Sequence, residues 1–301
     1  MPAGISRFVT SRDGLKLHLR DYDPGWPGRV PVVCLPGLSR TSDDFERVAD
    51  RLSSGAAAPP RRVIAIDYRG RGLSAWDPDP RNYDLKVESE DIHTILRELS
   101  VPDAIVIGTS RGGLHAMLLA ATEPALLRGV VLNDIGPVLA AEGLARIKGY
   151  IGKAPDLSDW ADAVAALRRT TGGHFTGLSD DEWDSYARLT FAEANGSIGL
   201  RYDPALSHNF ANFDPATIPE LWPQFDSLGH VPLLVIRGSN SDLLSQETAD
   251  KMVRRHPAAE LAIVDGQGHA PLLRDEPTLR RIVAFVERCD PAKPEAERRA
   301  P

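Results

Sequence analysis

Ser110 is the residue with the clearest chemical prospects. It sits in Gly108-Thr109-Ser110-Arg111-Gly112-Gly113, directly after the apolar run Ala-Ile-Val-Ile at 104–107 and before a helical pattern over 112–122. A G-x-S-x-G by itself recurs by chance, but in a strand–turn–helix context it has a mechanism. The serine then occupies a tight turn, and small flanking residues let the backbone pack closely. Its hydroxyl is exposed at a helix N-terminus, where developing negative charge is favoured. A serine is a weak nucleophile until a base takes its proton. Of the eight histidines, His269 stands in Gly266-Gln267-Gly268-His269-Ala270-Pro271, between the last predicted strand and the last predicted helix. That is the sheet edge that also carries Ser110. His115 follows Ser110 on the same helix and cannot readily turn back to the hydroxyl. His18, His93 and His256 fall within or at the ends of predicted elements.

A base of this kind needs an acid to fix its tautomer and stabilise the imidazolium. Two aspartates follow strands at the same edge. Asp242 lies in Gly238-Ser239-Asn240-Ser241-Asp242, after the run at 232–236. Asp134 follows the run at 129–132 in Asn133-Asp134-Ile135-Gly136-Pro137, where it also reads as a turn cap. The reading favours Asp242, whose loop is expected beside the histidine loop, and keeps Asp134 as the alternative.

The elements that must position these groups alternate. Short non-alternating apolar runs at 30–35, 62–66, 104–107 and 129–132 predict strands buried on both faces. Helical patterns at 43–52, 85–99 and 112–122 lie between them, and two further strands at 5–10 and 15–22 come first. From 137 to 229 the sequence is helical and Trp-bearing, and the alternation then returns from 232. The expected fold class is α/β, a mostly parallel doubly wound sheet of about eight strands with an inserted helical cap. The core takes in 1–136 and 230–290, the cap 137–229, and 291–301 reads as a disordered tail.

Composition narrows the function classes. Hydrophobic residues are 42% and charged residues 26%, ordinary globular usage, which excludes a disordered or fibrous chain. The net charge of −7 with no basic block argues against a nucleic-acid or anionic-membrane partner. No secretory signal pattern and no long apolar run are visible, and Cys34 and Cys289 cannot build a disulfide framework. A cytoplasmic protein with a small-molecule substrate is expected, with a homo-oligomer left open. No P-loop, dinucleotide glycine spacing, HExxH or paired-cysteine zinc pattern is present, so no metal and no cofactor is expected.

These parts together resemble the α/β-hydrolase superfamily, in its cap-bearing serine hydrolase branch. The resemblance covers most of 5–288. It rests on Pro-Gly-Leu-Ser-Arg-Thr at 36–41, Asp-Tyr-Arg-Gly-Arg-Gly-Leu-Ser at 67–74, the Ser110 turn, the Ser241-Asp242 loop and the His269 loop. It implies a serine–acid–histidine machine and an oxyanion hole of two backbone N–H groups, those of Leu38 and Arg111. Relatives commonly carry His-Gly where this chain has Pro36-Gly37, so a role for that histidine side chain is lost. The 67–74 turn is expected to be structural, with Arg69 and Asp67 pairing locally. Arg111 could recognise a substrate carboxylate or simply pair on the helix. Trp160, Trp183 and Trp222, with Phe191 and Phe225, could line an apolar pocket or form the cap's own core.

The leading expectation is serine-dependent hydrolysis of a small carboxylic ester or lactone. Carbon–carbon bond hydrolysis of a vinylogous diketone and a cofactor-free perhydrolase or haloperoxidase-like activity would use the same residues. An aspartate-nucleophile dehalogenase or epoxide hydrolase is disfavoured by Ser110. A binding module on the same fold is the non-enzyme alternative.

Overall fold

The computed structural model describes residues 4–25, 28–210 and 218–290. The expected disordered tail at 291–301 lies outside the described residues.

β1 (Ile5–Thr10) and β2 (Lys16–Tyr22) form an antiparallel hairpin. Then β3 (Val32–Leu35), α1 (Glu46–Ser53), β4 (Val63–Ile66), α2 (Leu85–Glu98), β5 (Ala104–Thr109), α3 (Arg111–Thr122) and β6 (Leu127–Asn133) follow in strict alternation. The next stretch holds α4 (Ala141–Tyr150), α5 (Trp160–Thr171), α6 (Asp180–Thr190), β7 (Phe191–Ala194), β8 (Ser197–Leu200) and α7 (Trp222–Asp226). β9 (Leu233–Gly238), α8 (Gln246–Arg255), β10 (Ala259–Val264) and α9 (Glu276–Cys289) complete the described chain.

Eight strands form one sheet in the order β1-β2-β4-β3-β5-β6-β9-β10. β2 runs antiparallel to β4, and all pairs from β4 to β10 are parallel. The non-alternating apolar runs have the expected cause. In β5, Ala104 and Val106 face one apolar layer while Ile105 and Ile107 face the other. α2, α3 and α8 cover the first face with Ile92, Met117 and Met252, and α1 and α9 cover the second with Leu52 and Phe285. A strand with helices on both sides has no polar face to show.

The stretch between β6 and β9 is not wholly helical. β7 and β8 pair antiparallel around Asn195 and Gly196, both left-handed at φ 54° and 75°. Asn-Gly between two short runs is the strongest short hairpin signal, because both central residues of a type I′ turn need positive φ. The helical pattern upstream obscured it. Ala163, Leu167, Phe175 and Trp183 give this stretch an apolar cluster of its own.

Packing is tight around the β5–α3 turn. A Cβ on Gly112 would collide with the Leu35 carbonyl of β3, and one on Gly113 with Ile135. Gly149 in α4, by contrast, faces open space. Gly112→Ala is therefore expected to destabilise by about 1–3 kcal/mol through overpacking. Gly149→Ala should stabilise by about 0.5–1 kcal/mol through the lost entropy of the unfolded chain. Urea denaturation of both variants checks the contrast.

Candidate active site

Ser110 stands where β5 ends and α3 begins, with φ 50° and ψ −113°. A non-glycine residue in the left-handed region is held there only by its surroundings. Here the Ser110 N–H donates to the Asn133 carbonyl at 3.0 Å. Gly108 and Gly112 press together across the turn, so the chain must reverse in one residue. The side chain is thereby lifted off the sheet edge.

His269 reaches back from the loop after β10. Its Nε2 lies 2.9 Å from Ser110 Oγ and its Nδ1 lies 2.8 Å from Asp134 Oδ2. An ionised carboxylate only accepts, so Nδ1 carries the proton and Nε2 is free to accept from the serine hydroxyl. Asp134 is fully buried and sits one residue past β6 at φ 55°. Its Oδ1 accepts from the Gly238 N–H at 2.9 Å and its Oδ2 from Ser241 Oγ at 2.5 Å.

This corrects the expectation for Asp242. Its carboxylate forms a two-point pair with Arg146 of α4, at 2.6 and 2.8 Å, and does not hydrogen-bond to His269. The cause is the path of the loop after β9. Backbone bonds from Gly143 to Asp242 and from Ala140 to Leu243 tie that loop to the start of α4, which turns the Asp242 side chain towards Arg146. Burial pushes the Asp242 carboxyl up, but the Arg146 guanidinium outweighs it and holds the acid below its ordinary range. Strand order makes the alternative acid the natural one: β6 is the neighbour of β5 and lies between it and β9.

The candidate substrate-binding role of the Arg111 side chain is corrected in favour of its other reading, pairing on the helix. Its Nε donates to Glu88 Oε2 at 2.6 Å and its Nη2 to the Tyr83 carbonyl at 3.1 Å, away from the cavity at Ser110. Glu88 is fully buried and serves three basic groups. Oε1 accepts from Arg71 at 2.6 Å, and Oε2 is also 3.2 Å from His115 Nε2. Arg71 in turn donates from Nε to the Leu38 carbonyl at 2.8 Å. Burial pushes the Glu88 carboxyl up, but Arg111 and Arg71 hold it well below the usual carboxylate range. Burial pushes His115 down, so it packs as a neutral ring. Neither the Leu38 nor the Arg111 backbone N–H donates to a described residue.

The turn at 67–74 is held partly from within, the Leu73 N–H donating to Asp67 Oδ2 at 3.1 Å, but Arg69 and Asp67 do not pair with each other. Asp67 accepts from the buried His18 ring at 2.7 Å and from the Ser42 N–H at 2.6 Å. Arg69 binds Asp91, Asp77 and Asp13 instead.

A cavity of about 80 Å³ lies over Ser110 and His269. Ile147 and Tyr150 of α4 and Tyr186 and Leu189 of α6 line it, with Leu38 and Arg40 from the loop after β3. The three tryptophans do not line it, which corrects their candidate substrate-binding role, and the packing of Trp160 and Trp183 matches the other reading, a core of their own. Trp183 is buried in the α5–α6 cluster, and Trp160 packs on that cluster under the Arg188 guanidinium. Trp222 lies against Phe225 with Lys251 over its ring. The tyrosines were missed because helical spacing alone cannot say which face of an inserted helix meets the sheet. Arg40 was missed although Arg40 and Asp44 have the i, i+4 spacing of a pair; both Arg40–Asp44 bonds are 2.7 Å. Burial pushes the Tyr150 hydroxyl up to about 12, so it stays protonated and able to donate.

Glu88→Gln removes one partner of a buried charge cluster and is expected to cost about 3–5 kcal/mol at pH 7. The wild-type advantage has a defined pH sign. A depressed carboxyl stabilises the fold above its unfolded value of about 4.3, and that contribution fades as pH falls below it. The stability gap between wild type and Glu88→Gln should therefore narrow below about pH 4, as measured by urea denaturation at a series of pH values.

Comparison with known proteins agrees with this architecture. Residues 32–281 match the alpha/beta hydrolase family. A crystal structure of an alpha/beta hydrolase from Novosphingobium aromaticivorans superimposes with a TM-score of 0.88 at 38% identity, covering 96% of this chain and 99% of that one. A 3-hydroxybutyrate-oligomer hydrolase from Cupriavidus necator is 33% identical over 91% of this chain and 90% of its own length. A 2-(acetamidomethylene)succinate hydrolase from Mesorhizobium japonicum is 28% identical over 83% and 86%. Among the described residues no helix is long and apolar enough to cross a membrane. The relatives are hydrolases, and the chain belongs to the alpha/beta hydrolase family.

Proposed function

We propose that the protein is a serine-dependent hydrolase of a small carboxylic ester or lactone, with the esters of short hydroxy acids as the favoured class. The observation that carries this reading is the continuous hydrogen-bonded path from Ser110 Oγ through His269 to the buried Asp134. Ser110 Oγ attacks the ester carbonyl carbon while His269 Nε2 takes its proton. The negative charge passes to the carbonyl oxygen, which the Leu38 and Arg111 N–H groups receive. The bond to the leaving oxygen then breaks, and His269 returns the proton to that oxygen. Water attacks the acyl-serine with His269 again as base, which releases the acid and restores Ser110. Asp134 keeps the imidazole oriented and offsets its charge when it is protonated.

The substrate class draws on two supports. The cavity over Ser110 is small, and Leu38, Phe45, Ile147, Leu189, Leu272 and Leu273 give it apolar walls beside the paired Arg40 and Asp44, which suits a short aliphatic acyl group. The Cupriavidus necator relative is named for 3-hydroxybutyrate oligomers, and a hydroxy acid oligomer is joined through ester bonds.

Ser110→Ala is expected to lower p-nitrophenyl butyrate hydrolysis by several orders of magnitude while the fold persists. Undiminished activity would remove Ser110 as nucleophile. The two aspartates give a sharper comparison. Asp134→Asn should lose roughly 10³–10⁴-fold in kcat, because an amide can stabilise the wrong histidine tautomer. Asp242→Asn should lose less than about tenfold per folded molecule, since its carboxylate pairs with Arg146 and makes no hydrogen bond to His269. Steady-state kinetics normalised by circular dichroism decide between them, and the reverse ranking would overturn the assignment of the acid.

A further inference from the structure

A second cavity, a cleft of about 270 Å³, adjoins the catalytic pocket. Leu189 lines both. Leu273 faces the pocket and the next residue, Arg274, faces the cleft. Four arginines, Arg20, Arg188, Arg201 and Arg274, line this cleft, against two acids, Asp43 and Glu46. Arg20 and Arg201 share Asp43, the former at 2.5 Å, and Arg188 pairs with Asp184 at 2.8 Å. Arg274 makes no hydrogen bond or ion pair with a described residue. Burial, and then the nearby Arg47, push the Arg274 guanidinium below its ordinary value, and the more distant pull of Glu46 and Asp44 does not offset them. This excess of positive charge stands against a chain carrying a net −7, so it is not a by-product of composition.

A guanidinium with its fork free, in a cleft that shares Leu189 with the pocket of a reacting serine, matches a planar anion on the substrate. We propose that the Arg274 cleft is a carboxylate subsite, and that the substrates are hydroxy acid esters with a free acid end. The proposal rests on the serine-hydrolase reading for the placing of the ester carbonyl at Ser110. In a dimer of a 3-hydroxy acid, the free carboxylate lies only four bonds from the ester carbonyl carbon, on the alcohol that leaves. Carboxylate in the cleft and carbonyl at the serine are then two ends of one short molecule.

The test uses a probe that does not turn over: the amide analogue of the 3-hydroxybutyrate dimer, as the free acid and as its methyl ester. Titration calorimetry on the full chain should give at least tenfold tighter binding of the acid. The preference should weaken with added salt, as a partly exposed ion pair requires. Arg274→Ala should bring the two probes to within twofold of each other, and Arg274→Lys should restore part of the preference. Arg280→Ala, an exposed arginine on α9, should keep the wild-type ratio. Equal binding of acid and methyl ester by the wild type, no binding of either, or an unchanged ratio in Arg274→Ala overturns the subsite. Fluorophosphonate labelling of Ser110, run in parallel, reports the serine reading separately. A labelled enzyme without acid preference sinks the cleft alone. An acid preference lost in Arg274→Ala without labelling supports the cleft and sinks the serine mechanism.

Discussion

One buried carboxylate organises the floor of the site. Glu88 projects from α2 and is the only carboxylate hydrogen-bonded to Arg71, Arg111 and His115 among the described residues. An unpaired guanidinium in that position would carry a desolvation cost of several kcal/mol, so the pairing is obligatory once the chain is packed. Its consequences spread through the chain. Arg71 belongs to the turn after β4 and also holds the Leu38 carbonyl, while Arg111 opens α3 beside Ser110. Two loop segments and a helix are thus tied to one acid. The Leu38 carbonyl, through Arg71, and the Arg111 side chain share the same anchor.

The second organising fact is strand order. Parallel strands put the ends of β5, β6, β9 and β10 along one edge, and the residues just beyond those ends are the ones able to meet. Ser110 follows β5, Asp134 follows β6, and His269 comes from the loop after β10. Gly238, at the end of β9, contributes its N–H to Asp134, and Ser241 contributes its hydroxyl. The loop after β9 therefore supports the acid without supplying it.

Much of this was legible before any coordinates. The strands at 104–107 and 129–132 announced themselves because a run apolar at every position is what a strand covered on both faces requires. Ser110 and His269 were legible because glycine-flanked turns after such strands have few other uses. The acid was not settled, since choosing between Asp134 and Asp242 needs the path of one loop, and that path is set by backbone bonds to a helix 100 residues earlier in the chain. The tryptophans misled for a related reason. A large aromatic side chain on an inserted helix is as well satisfied in the insert's own core as over the sheet, and periodicity does not choose between the two. Asn195-Gly196 carried a usable hairpin signal that the surrounding helical pattern obscured.

Charge pairing explains why Asp134 suits a histidine partner better than Asp242 does. Four arginines around the site have a carboxylate each to bind: Arg40 has Asp44, Arg71 and Arg111 have Glu88, and Arg146 has Asp242. Asp134 is different, for its hydrogen bonds come from an N–H, a hydroxyl and His269, and from no guanidinium. A carboxylate already joined to an arginine offers little further field to an imidazolium, because the two charges largely cancel at a distance. A buried carboxylate fixed only by neutral dipoles keeps its whole charge for the ring it faces. In the proposed mechanism that charge is needed only while His269 holds the serine proton, and fixed dipoles supply the support without competing for it.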